Sequence, residues 1–185
     1  MAESVSPRRD ELLDAAYAYV LERGMSGLSL RPIAEAIGSS TGVLRFLFGS
    51  KDGLVRAILE RARQDELTVL ADLDPAAGIA EVARRTWVYL RDPRNRGVLV
   101  LWTESYAASL LDPEGPWGDF ARTTVADWLT LLASSQPPAV RRAAAGRAQC
   151  TAVLAMLRGS FLDLVATGEV ARIDRAMRDY LDTLR

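Results

Sequence analysis

Histidine is absent from the 185 residues, and cysteine and lysine occur once each, as Cys150 and Lys51. The lack of histidine excludes Ser-His-Asp and Cys-His catalysis, HExxH zinc sites and the histidine-containing di-iron bundle. A lone cysteine excludes a disulfide framework or a cysteine zinc site within one chain. No metal and no other cofactor is expected. A nucleotide-binding glycine loop is also missing, so an enzyme is not expected, although carboxylates leave a histidine-independent helical-bundle enzyme as a competing reading. No apolar run is expected to reach the length of a membrane span, and residues 1–9 lack the apolar core of a signal peptide. The expectation is therefore no membrane partner and a reducing, cytoplasmic setting. With 13 Gly and 8 Pro against 49% hydrophobic residues, collagen-like and disordered classes fall away, and the chain can bury a core.

A formal net charge of −1 gives no global nucleic-acid signal, so any such footprint must be local. Residues 64–78 carry Asp65, Glu66, Asp72 and Asp74 and no base. The stretch 38–51 is the reverse, with Arg45 and Lys51 and no carboxylate. Arg8 and Arg9 stand before the first helix, as either a frayed terminus or an arm touching a groove or phosphates.

Helical spacing dominates and strand alternation is not evident, which predicts an all-α chain. Leu12, Leu13, Ala16, Val20 and Leu21 predict a first helix ending before Gly24. Ser29 is a candidate N-cap for a short second helix with Pro32 in its first turn. Ser39 or Ser40 caps a third helix through Arg45, Phe46 and Leu47, and Ser50 caps a long helix over 51–70. Further helices are expected near 79–91, 95–111, 116–134, 138–166 and 170–184, separated by Pro- and Gly-containing breaks.

Two short helices joined by a glycine turn, with a supporting third, form a helix-turn-helix, whose second helix enters the DNA major groove. Ile33, Ala34, Leu44 and Phe48 would pack the two together. Ser40, Thr41, Arg45 and Phe46 would face outward, with Phe46 alternatively part of the small core. A hydroxyl-capped helix N-terminus also seats a phosphate.

The runs Leu13-Asp14-Ala15-Ala16, Ser29-Leu30-Arg31-Pro32-Ile33-Ala34, Gly38-Ser39-Ser40-Thr41-Gly42-Val43-Leu44 and Phe48-Gly49-Ser50-Lys51-Asp52-Gly53-Leu54 resemble the N-terminal domain of TetR/AcrR-type transcriptional regulators. The resemblance covers roughly the first third of the chain. It implies a helix-turn-helix DNA-binding domain over 1–55, linked by the helix 51–70 to a helical ligand-binding and dimerisation domain over 56–185. It also implies a homodimeric regulator, usually a repressor, that binds a pseudo-palindromic double-stranded DNA operator and is released by a small molecule. Ser29, Ser40, Thr41 and Lys51 would contact the DNA backbone or cap helices, and Gly42 would allow close approach. Arg45 stands where the family commonly has Tyr, Leu47 where a polar or aromatic residue is common, and Ser39 where a small apolar one is. Arg45 then takes either a phosphate or a guanine. With Lys51 it is otherwise a solvated surface charge, and a helical interaction protein that has lost specific DNA binding is the alternative.

All four tryptophans follow residue 78. Trp87, Trp102, Tyr106, Trp117, Phe120, Trp128, Met156 and Phe161 either line a cavity for an apolar or aromatic effector or fill a helical core. Glu104 and Arg158, in apolar surroundings, are either pocket polar groups or surface residues. Ala144, Ala148, Ala152, Ala155 and Gly159 place small residues on one helical face. Val170, Ile173, Met177, Tyr180, Leu181 and Leu184 give the last helix an apolar stripe. Together these two helices either build a four-helix interface across a two-fold axis, making a homodimer, or pack within the chain. Cys150 is expected to be a small buried apolar residue.

Overall fold

The computed structural model describes residues 7–25, 27–71 and 74–184. Asp72 of the acidic stretch lies outside them. Ten α-helices and no strand occur among the described residues: α1 (Pro7–Arg23), α2 (Leu30–Ala36), α3 (Thr41–Phe48), α4 (Lys51–Ala71), α5 (Ile79–Leu90), α6 (Arg96–Leu111), α7 (Phe120–Ser134), α8 (Pro138–Arg142), α9 (Ala144–Thr167) and α10 (Val170–Leu181). Short 3-10 turns at Pro75–Ala77 and Pro93–Asn95 precede α5 and α6.

Packing divides the chain into two compact units. One holds residues up to Glu66 together with Gly97–Thr123; the other holds Leu67–Arg96 and everything from Thr124 onward. This is a division by contacts. It is a different quantity from the functional boundary near residue 55 expected above. The 21 residues of α4, about 31 Å long, run continuously from the first unit into the second.

The first unit is organised around Ala16, Val20, Ile33, Leu44, Leu54 and Ile58, all buried, with Leu101 of α6 joining the same core. α1 stops where expected. The Gly24 N–H donates to the Val20 carbonyl at 2.8 Å, and φ of +76° at Gly24 turns the chain in the left-handed region that favours glycine. The Glu104 carboxylate approaches the same turn and accepts from the Met25 N–H at 2.7 Å. α7 begins at Phe120, later than the expected 116. Ser109 of α6 holds the intervening turn by donating to the Gly118 carbonyl (3.0 Å) and accepting from the Ala121 N–H (3.2 Å).

In the second unit α5, α9 and α10 pack on one another. Val82, Ala83, Val153, Leu157, Ile173, Met177 and Leu181 are buried there, as is Cys150. Burial pushes the Cys150 thiol up, which keeps it protonated and unreactive. Asp174 of α10 ties this packing together, accepting from the Trp87 indole N–H and from the Arg91 guanidinium, each at 2.7 Å. The expected single helix over 138–166 is two helices. Ala143 is extended (φ −75°, ψ 151°), and Arg147 donates to the Arg142 carbonyl that the break leaves free. α10 ends at Leu181.

Two further expectations are corrected. α9 is long and apolar enough to cross a membrane by length and composition, contrary to the absence of such a run expected from the sequence, and 33% of that stretch is buried within the protein. The apolar stripe expected to carry α10 into an interface is largely used inside the chain, since Ile173, Met177 and Leu181 are buried.

Candidate nucleic-acid interface and ligand-facing residues

The helix-turn-helix is α2, the turn 37–40 and α3. Ile33, Ala34, Leu44 and Phe48 are buried between them as expected. Ser40 is the N-cap of α3, extended in backbone, and its hydroxyl accepts from the Val43 N–H at 3.2 Å. Ser50 does the same for α4, accepting from the Gly53 N–H at 3.0 Å. Ser29 occupies the N-cap position of α2, but its side chain makes no capping hydrogen bond. Its exposed hydroxyl is accordingly not engaged in closing that helix.

The outward side of α3 presents Thr41, Gly42, Arg45 and Phe46, all exposed, and Lys51 is exposed at the start of α4. A Cβ added to Gly42 would meet nothing closer than the Ser40 hydroxyl oxygen, 3.7 Å away, so this face is bare and open to close approach. Arg45 and Lys51 form no ion pair among the described residues, whereas Arg31 on α2 is neutralised by Glu35 at 2.9 Å. The stretch 38–51 carries no carboxylate, and an unpaired cation there creates a local positive potential for a polyanion. Arg8 and Arg9 lie inside α1 rather than in an extended arm. Arg8 pairs with Glu11 at 3.0 Å, and the Arg9 guanidinium stacks 5.0 Å from the centre of the Phe48 ring.

The eight candidate ligand-lining residues are shared between the units. Trp102, Tyr106, Trp117 and Phe120 belong to the first; Trp87, Trp128, Met156 and Phe161 to the second. Trp102 and Tyr106 stack at 5.0 Å. Trp117 and Phe120 are half-buried against the first unit's core. Trp117 also lines a cavity of about 590 Å³ in that unit, with Met25, Leu28, Lys51, Asp52 and Asp112. Trp87, Trp128 and Phe161 are buried in the second unit, and Met156 is half-buried. The Trp87 indole is committed to Asp174, which makes it a packing residue. Glu104, expected as a pocket group or a surface charge, is instead spent on the Met25 N–H in the first unit.

Sequence reasoning missed Thr86 and Thr124. Both are fully buried in the second unit, and neither hydroxyl has a hydrogen-bond partner. Such groups cost about 1–3 kcal/mol each when left unpaired, which sets these two hydroxyls apart from the apolar packing around them. Nothing in a threonine within an apolar helix marks it out beforehand.

A capped recognition helix, a glycine-bared outer face and free cations beside it define a helix-turn-helix DNA-binding protein. The profile of the family described as bacterial regulatory proteins, tetR family, matches residues 12–58. Residues 12–58 are thus similar to the DNA-binding domain of that family, and the chain is a DNA-binding transcriptional regulator. It is 27% identical over 198 residues to the HTH-type transcriptional regulator BetI of Paraburkholderia xenovorans, covering 95% of this chain and 92% of the relative. A TetR-family regulator from Rhodococcus sp. has the same fold, with a TM-score of 0.76 at 20% identity over 97% of this chain and 99% of the other. The multidrug binding protein EbrR complexed with proflavin is similar at 27% identity and a TM-score of 0.70, over 96% of this chain and 99% of that one.

Proposed function

We propose that the protein is a homodimeric repressor whose operator binding is controlled by a small apolar or aromatic ligand. The observation that carries the DNA half is the outer face of α3, where Thr41, Gly42, the unpaired Arg45 and Phe46 are exposed together, with a second unpaired cation, Lys51, at the start of α4. In this reading Ser29, Ser40, Thr41 and Lys51 contact phosphates and position the helix, while Arg45 and Phe46 face the bases. Residues 1–55 form the DNA-binding region and 56–185 the region for ligand and dimer. Two such regions in a dimer read half-sites one helical turn apart, about 34–36 Å.

The dimer contact is assigned to α9. Ala144, Ala148, Ala152, Ala155 and Gly159 are all exposed, and a Cβ at Gly159 would meet nothing. Small residues along one face allow a second helix to approach closely. α10 contributes its exposed start at Val170 rather than its buried stripe.

For the ligand, the second unit supplies Trp128, Met156 and Phe161 as apolar surface and the unpaired Thr86 and Thr124 hydroxyls as polar contacts. That a similar protein is a multidrug binding protein crystallised with proflavin supports an aromatic effector. The effector acts by its different affinity for two states of the dimer, and about 3 kcal/mol of coupling is enough to change occupancy by roughly a hundredfold.

The test is fluorescence anisotropy at fixed salt, with DNA from upstream of the coding sequence and a scrambled control. Wild type is expected to prefer the upstream DNA. Arg45→Ala should weaken that preference by about tenfold or more, the value of one lost base contact per half-site. Equal, weak and strongly salt-dependent binding of both duplexes would favour the protein that has lost specific DNA recognition.

A further inference from the structure

We propose that Phe46 reads the C5 methyl group of a thymine in each operator half-site, an inference that rests on the DNA-binding reading above. Successive residues on an α-helix are turned by about 100°. Phe46 therefore stands about 200° around α3 from Leu44 and about 160° from Phe48, the two side chains buried beneath that helix. It points away from the core and is 88% exposed, against 40% for Val43, the other exposed large apolar residue on the helix. A phenyl ring held in water forgoes the transfer free energy that drives such rings inside, and on the outer face of α3 that free energy is available to an apolar partner outside the chain.

The surroundings narrow that partner. Gly42 lies one turn earlier on the same stripe and leaves bare backbone, so the helix can sit deep in a groove with the ring projecting next to it. The ring has neither donor nor acceptor, and therefore cannot read the hydrogen-bonding edges of guanine, adenine or cytosine, nor bind a phosphate oxygen. The thymine methyl is the apolar group that the major groove presents. Arg45, about 100° away on the helix, is left for a guanine or a phosphate.

The full-length protein would first select its operator from random duplexes at fixed salt. Each thymine of the selected duplex is then replaced in turn, in both half-sites, by deoxyuridine, which removes the methyl and nothing else. At one thymine per half-site the replacement is expected to weaken wild-type binding about 4-fold, as for one methyl group returned to water, and about 15-fold when both half-sites are changed. Phe46→Ala should fold like the wild type, since the ring is exposed, and should be indifferent to the same replacement. The proposal is overturned by an operator at which no deoxyuridine weakens binding. It is equally overturned if Phe46→Ala remains as sensitive to the loss of the methyl as wild type. A selection that enriches no sequence refutes the DNA-binding reading, and this inference with it.

Discussion

The two compact units expose different chemistry. On α3 of the first unit a single large ring, Phe46, stands among hydroxyls, a bare glycine and an unpaired guanidinium. On α9 of the second unit the exposed side is a run of Ala148, Ala152, Ala155 and Gly159 with Leu162, interrupted by Thr151 and little else. A surface of the first kind suits a polyanion whose sequence is read at isolated points. One of the second kind suits another apolar helix, because small side chains permit dense packing and offer nothing to a phosphate. The free cations and the exposed small-residue stripe thus lie in separate units, and each can be altered without touching the other.

The strongest way to break this contrast is to make α9 resemble a polar surface. Ala155→Glu places a charge on the exposed stripe without disturbing a buried residue. Sedimentation is expected to show a monomer, and circular dichroism an unchanged helix content. Operator affinity should fall by about 10²–10⁴, the advantage of two linked half-site contacts over one. A dimer that survives the charge would move the interface away from α9.

A smaller effect is expected inside the first unit, at the join between α6 and the turn after α1. Glu104→Ala removes the acceptor of the Met25 N–H, a hydrogen bond to a charged group worth about 1.5–3 kcal/mol. Urea unfolding should show most of that loss, and Glu104→Gln, which keeps an acceptor, should recover part of it. If Ala and Gln are equally stable to wild type, the carboxylate is not what holds the turn. Because the contact lies within the unit that carries α3, the Ala variant should also weaken operator binding more than an exposed α5 substitution such as Arg85→Ala does.

Which parts were legible in the sequence follows from the range of the interactions. Ser40 and Ser50 cap helices three residues away, and Ile33, Leu44 and Phe48 follow the helical period, so the helix-turn-helix could be read directly. The exposure of Phe46 followed from Leu44 and Phe48 filling the inner face. Glu104 meets Met25 across 79 positions, and no local pattern encodes that pairing. The same holds for Trp87 and Asp174, which lie 87 positions apart and turn an apparent ligand-facing aromatic into packing. The break at Ala143 carries neither Gly nor Pro, so punctuation could not reveal it. α10 illustrates the limit of periodicity: an apolar stripe shows that a face is covered, not whether its own chain or a second copy covers it.

pH offers the finest discrimination between the units. The stretch 38–51 has no carboxylate, so acid has no group there to titrate on the DNA-facing helix. In the second unit Asp92 accepts from the Arg94 side chain and from its backbone N–H, and these bonds hold the Asp92 carboxyl down from the usual 3.8 to about 2. A carboxylate with a lowered folded-state pKa contributes stability that is complete above its unfolded value and is lost as pH falls through the folded one. The contribution of Asp92 should therefore be constant above about pH 5 and fade between about 4 and 2. Asp92→Asn cannot titrate and lacks this contribution throughout. Urea midpoints of wild type and variant should differ by a small fixed amount near neutrality and converge as pH approaches 2. A gap that persists at pH 2 would show that the carboxamide disturbs the turn at Pro93–Asn95 by its shape, and that the charge on Asp92 contributes nothing to it.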